Sequence, residues 1–201
     1  MLTAIITGDI INSRKADSVN WLPLLESVLK RYATDDRHWE VFRGDSFQIE
    51  VDINQALEAF IYIKASLRTI RPLDARMSIG IGNKSFQGKT ISQSNGEAFL
   101  FSGEAFEDLK KQNVSIKTPW EATTEELKIV LGMLVFIIEK WNVNCSKTIK
   151  CVFENKDATQ QKLAEILHKR QGQISRELKK AGYEEIYQVI SFYTEKLLSK
   201  C

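Results

Sequence analysis

The sequence predicts an α+β protein: a βαββαβ sheet domain over residues 1–118, then an all-α domain over residues 123–201. Three observations carry this. Leu2-Thr3-Ala4-Ile5-Ile6-Thr7-Gly8 is almost wholly apolar or small, as a strand buried on both faces must be. Two segments of alternating apolar and polar residues flank Gly44-Asp45, the pattern of a hairpin. From Thr123 onward the chain reads as helical, with breaks at Asn142–Asn144, Asn155–Asp157, His168–Gly172 and Gly182.

The elements follow in order. After the first strand, Trp21, Leu24, Leu25, Val28, Leu29 and Tyr32 form one apolar stripe at helical spacing, with Ser18 as the expected N-cap. In the hairpin, Trp39, Val41 and Arg43 alternate with Glu40 and Phe42, and Phe47, Ile49 and Val51 with Gln48 and Glu50. Glycine accepts positive φ and aspartate bonds its own backbone, so Gly44-Asp45 suits the turn. A second helix after Asp52 carries Ala56, Phe60, Ile63 and Leu67, with Leu57 and Ile61 beside them, and Pro72 closes it. A strand at residues 75–81 completes the split βαβ, ferredoxin-like order, with helices expected on one face of an antiparallel sheet.

Residues 83–94 read as a polar loop with a short strand at Lys89–Ile91. Asn95–Lys111 reads as a helix, Val114–Lys117 as an edge strand, and Thr118-Pro119-Trp120 as a joint between domains.

Composition narrows the function classes. With 43% hydrophobic and 27% charged residues the chain matches a folded globular protein, not a disordered or collagenous one. The net charge of +2 is unevenly spread, being +4 from Cys145 onward and −2 before it, so a polyanion partner is expected at the back half. Cys145, Cys151 and Cys201 have no metal-type spacing, and with no signal-peptide pattern they read as reduced thiols of a cytoplasmic protein. The longest apolar stretch, Ile129–Ile138, is far short of the ~20 residues of a membrane span and reads as a core helix.

Two aspartates are the candidate chemistry of the front half. Asp9 ends the first strand and Asp45 sits at the hairpin turn, so the predicted sheet order sets them on neighbouring strand ends. Mg²⁺ is commonly held by one or two protein carboxylates while substrate phosphates supply further oxygens. Asp9 and Asp45 are therefore candidate Mg²⁺ ligands, with the backbone carbonyl of Ile10 as a third. Arg14 and Lys15 lie within reach of phosphate oxygens, and Ser46 joins them as a nucleotide-binding candidate. Each aspartate alone also fits an ordinary turn or strand-closing residue.

Arg43-Gly44-Asp45-Ser46-Phe47 resembles the G-G-D/E-E-F signature of diguanylate cyclases and the Gly-Asp hairpin of class III nucleotide cyclases, where Asp45 matches the metal ligand. Asp9-Ile10 resembles the Asp-Ile of the first cyclase strand, and Ser78-Ile79-Gly80-Ile81-Gly82 the Gly-Ile-rich strand that follows. The chain departs from that pattern at Arg43, in place of a glycine, and at Ser46, in place of an acidic residue. A closer resemblance is to the SatD family of small bacterial proteins. It rests on Gly8-Asp9-Ile10-Ile11-Asn12-Ser13-Arg14, Gly44-Asp45-Ser46-Phe47-Gln48, the Arg76–Gly82 strand and Gly96-Glu97-Ala98-Phe99. These resemblances imply a cyclase-like fold for the front domain and a Mg-nucleotide site at Asp9 and Asp45.

The back half carries a helix-turn-helix pattern over residues 160–179. Ala164 allows two helices to cross closely, and Leu163, Ile166, Leu167, Ile174 and Leu178 supply a shared core. From His168 to Lys180 there are five Lys/Arg and one Glu, which suits phosphate contact. The DNA-binding candidates are Lys169, Arg170, Gln171, Gln173, Ser175, Arg176, Lys179 and Lys180. Ile174-Ser175-Arg176-Glu177-Leu178 resembles the V-S-R-x-L run of recognition helices in bacterial repressors. His168 stands where such turns usually have a glycine. A plain helical hairpin that packs the last helix or makes a dimer is the competing reading. Ile137, Trp141, Tyr183, Ile186, Tyr187, Ile190 and Leu197 read as core or dimer contacts.

The expectation is thus a cytoplasmic DNA-binding transcription regulator with a Mg-nucleotide-binding front domain, without membrane attachment and with homodimerisation open. The alternative is an active nucleotidyl-transfer or cyclase-type enzyme with Asp9 and Asp45 as metal ligands.

Overall fold

The computed structural model describes residues 2–109 and 113–200. It is a mixed α/β structure built on a curled sheet. Strand β1 (Leu2–Ile11) lies at the centre. Its antiparallel neighbours are β3 (Ser46–Val51) and β4 (Asp74–Phe86), and β2 (Trp39–Phe42) pairs β3 at one edge. Two short strands flank β4 on its other side: β5 (Asn95–Gly96), antiparallel, and β6 (Val114–Lys117), parallel. The spatial order is β2-β3-β1-β4 with β5 and β6 beyond.

Alternation along β1 divides the sheet into two working faces. Ala4, Ile6 and Ile10 join Phe47, Ile49, Val51, Met77, Ile79 and Ile81 in the main core. Helices α1 (Ser18–Tyr32) and α2 (Ala56–Leu67) contribute Trp21, Leu25, Val28, Leu29, Phe60 and Ile63 to that core. The N-cap of α1 is Asp17, not Ser18: the Asp17 carboxylate accepts from the Val19 N–H at 3.0 Å, one residue earlier than the stripe suggests.

The opposite face carries Thr7, Asp9, Ser78 and Arg76, and is covered by α3 (Glu97–Glu107). A helix can come this close because β4 has no side chains there. A Cβ on Gly80 would lie 2.2 Å from the Ala98 carbonyl oxygen and the Ser102 nitrogen, both backbone atoms. The expected strand at Lys89–Ile91 is absent; a single tight turn, Ile91–Gln93, buries Ile91 instead, while β4 runs on to Phe86. The expected helical end at Lys110 and Lys111 lies outside the described residues.

The back half is α4 (Glu121–Glu139), α5 (Val143–Glu154), α6 (Gln160–Ile166), α7 (Gln171–Ala181) and α8 (Tyr183–Leu198). It packs on α2, which is consequently buried at every position but Glu58. Tyr62 meets Phe153 edge-on and donates to Glu154 at 2.7 Å, and Arg31 donates to the Phe153 carbonyl at 2.7 Å. Arg68 joins the halves again: it pairs with Asp74 at 2.6 Å and donates to the Trp141 carbonyl at 2.9 Å. Among the described residues no helix is long and apolar enough to cross a membrane.

Candidate functional site

The carboxylate end of the sheet is set by strand register. Asp9 on β1 stands opposite Ser46 on β3 and Arg76 on β4. The Ile10 N–H donates to the Asp45 carbonyl at 2.9 Å, which stitches the hairpin turn to β1. Arg43 and Gly44 both take positive φ there, 53° and 87°. The strand ends are therefore neighbours, but each aspartate has a partner. Arg76 grips Asp9 with Nε at 2.8 and 2.9 Å and a terminal nitrogen at 2.7 Å. These hydrogen bonds hold the Arg76 guanidinium above its usual basicity, and its central carbon lies over the Phe106 ring, 5.4 Å from the ring centre. The Ser13 hydroxyl donates to Asp45 at 2.6 Å.

A divalent cation at Asp9 would face the Arg76 guanidinium, with both carboxylate oxygens already accepting from it. Among the described residues no three His, Cys, Asp or Glu side chains gather. As arranged, Mg²⁺ would compete with Arg76 for Asp9 and with the Ser13 hydroxyl for Asp45. The Ile10 side chain is buried in the core, and its backbone lies in the β1–β4 ladder. Arg14 and Lys15 form an exposed turn just past β1, beside Ser13. Sequence reading passed over the Ser13 and Arg76 contacts. The Arg76 pair could have been found: in an antiparallel pairing of the first and fourth strands, Asp9 and Arg76 end opposite each other.

The second candidate region is the α6–α7 pair. Leu163, Ala164, Ile174 and Leu178 are buried between the helices and α5. Ile166, expected in that core, is instead 42% exposed. The chain leaves α6 through His168 in the left-handed conformation, φ 51°. The Lys169 N–H donates to Ala164 O at 2.8 Å and the His168 N–H to Glu165 O at 3.2 Å. Together these are a Schellman stop, which closes the free carbonyls of the helix end and turns the chain sharply. Arg170 then stands at the N-cap of α7, its N–H donating to the Gln173 side chain at 2.9 Å.

This turn sorts the predicted DNA contacts. Lys169 is tied to Glu177 at 2.7 Å, with Thr148 also donating to Glu177. Gln171 donates to Gln160 at 2.8 Å, and Gln173 serves the α7 start. Arg170, Ser175, Arg176, Lys179 and Lys180 are exposed, and none of their cations forms an ion pair among the described residues. On the other side, α7 ends at Ala181, whose carbonyl accepts from the Trp141 indole at 2.8 Å. A rigid hydrogen-bonded base thus supports an outward basic face. No protein-family model matches the chain, and no curated protein shows significant similarity to it.

Proposed function

We propose that the chain is a SatD-like cytoplasmic DNA-binding regulator. In this reading its front half is a ferredoxin-like, cyclase-like domain, and residues 123–201 are an all-α helix-turn-helix domain. Helix α7 enters the major groove with Arg176 and Ser175 at base edges, while Arg170, Lys179 and Lys180 meet phosphates. The observation that supports this most is the α6–α7 turn. A left-handed His168 sits at the site where such motifs turn, followed by a helix whose outward cations have no carboxylate partner among the described residues.

Gel shift against genomic fragments tests the reading. Wild-type protein should retard DNA in a salt-dependent manner, and Arg176→Ala should weaken retardation by about tenfold or more, or relax its sequence preference. Equal retardation by both proteins contradicts the assignment of α7.

The second reading is a nucleotidyl-transfer enzyme using Asp9 and Asp45. It draws on the strand ends joined by the Ile10–Asp45 hydrogen bond, with exposed Arg14 and Lys15 nearby. It also requires Arg76 to release Asp9, whereas the DNA reading requires no rearrangement. Turnover of labelled ATP or GTP with Mg²⁺, abolished by Asp45→Ala, would favour the enzyme.

A further inference from the structure

Helix α4 buries Leu127, Leu131, Leu134 and Ile138 against the protein, yet its outer side is also apolar. Ile129, Met133 and Phe136 are 63%, 65% and 61% exposed. They recur at i, i+4 and i+7 and so form one stripe along the helix. Gly132 lies on the same outer side, and a Cβ added there would meet nothing within 4 Å. Three large apolar side chains this exposed on one helix make a patch larger than scattered surface residues do.

The ends of the stripe say what covers it. Glu125 precedes it and Lys140 follows it, both exposed. Lys140 has no carboxylate partner among the described residues; its ammonium lies 3.8 Å from the Phe136 ring centre, at the margin of the stripe. Glu125 is held by Lys128 within its own turn, where both side chains are exposed and the pair is easily exchanged. The pattern is self-complementary when reversed: the midpoint between Glu125 and Lys140 and the midpoint between Ile129 and Phe136 both fall between Gly132 and Met133. A parallel copy would set Glu125 against Glu125 and Lys140 against Lys140. An antiparallel copy sets each glutamate beside the other copy's lysine and opposes the helix dipoles.

We infer that α4 is a homodimer interface, in which a second copy of this chain lays its own α4 antiparallel across the Ile129–Met133–Phe136 stripe. The apolar side chains form the centre and Glu125 and Lys140 the charged rim. Close approach of the two helices occurs at Gly132. The interface is independent of whether α7 reads DNA.

Analytical ultracentrifugation across nanomolar to high-micromolar protein tests this. Wild type should sediment as a dimer at the upper end. Met133→Glu, at an exposed position and with its fold checked by circular dichroism, should raise the dimer dissociation constant by at least about thirtyfold. Glu125→Lys alone and Lys140→Glu alone should each weaken it several-fold, and the double reversal should restore it. A wild type monomeric throughout, the stripe then serving another protein or a membrane surface, overturns the inference. So does a dimer unmoved by Met133→Glu, or a double reversal no tighter than the single ones.

Discussion

His168 offers a direct reading of the turn on which the DNA assignment stands. Its φ of 51° is left-handed, which costs a residue with a Cβ about 1–2 kcal/mol. The side chain is exposed, and the turn's two hydrogen bonds use backbone atoms alone. His168→Gly therefore relieves the strain while keeping the turn. Glycine's greater freedom in the unfolded chain takes back about 0.5–1 kcal/mol. The net expectation is a gain of roughly 0.5–1 kcal/mol, or about 1–4 °C in Tm for a chain of this size. His168→Val should move the other way by about 1 kcal/mol or more, because a β-branched residue is least able to adopt positive φ. Urea unfolding with unchanged m value measures both. A destabilised glycine variant, or a valine variant equal to wild type, would refute the left-handed stop and with it the geometry that aims α7.

Other expectations follow from the same structure. Gly80→Ala should lose about 2–3 kcal/mol, measured by urea unfolding, because its Cβ would meet α3 backbone atoms that have no soft side chain to move. Arg76→Met should lose only about 1 kcal/mol in the same assay, since Arg76 is 46% exposed and solvent screens the pair with Asp9. Burial holds the Tyr193 and Tyr32 phenols far above the ordinary tyrosine value, Glu58 adding to the effect at Tyr32. Their contribution to stability is complete below pH ~10, where unfolded tyrosine titrates, and falls above it by about 1.4 kcal/mol per pH unit for each group. Thermal scans from neutral to strongly alkaline pH should show that decline. Tyr193→Phe, whose wild-type hydroxyl has no hydrogen-bond partner among the described residues, should remove its share of that decline, about 1.4 kcal/mol per pH unit, and leave that of Tyr32, without loss at neutral pH.

Much of the front half is legible because its strands alternate or run apolar and its turns carry glycine. The helix α2 itself was readable from its apolar side, Ala56, Phe60, Ile63 and Leu67, with Leu57 and Ile61 beside them, but its burial all round was not. What covers its outer side, the α5 aromatic Phe153 and the hydrogen-bonded Glu154, is not local information. The same limit explains the second sheet face. Gly80 and Gly82 resemble a nucleotide-cyclase strand in sequence, yet here they are the groove that seats Ala98 and Ser102 of α3. The partner of Asp9 becomes readable only once the first and fourth strands are paired antiparallel, because it is the register that sets Arg76 opposite it. In the back half the break between α6 and α7 and the residue that turns there were readable, whereas the spending of Lys169 on Glu177 depends on how α7 seats on α5.

The salt dependence of duplex binding tests the central claim most directly. Fluorescence anisotropy with a labelled duplex, repeated across salt concentrations, gives the slope of log affinity against log salt, which counts phosphate contacts. Replacing Arg170, Lys179 and Lys180 together by alanine should lower that slope by about three while leaving the fold unchanged. An unaltered slope, or no measurable duplex binding by the wild type at low salt, would contradict the account.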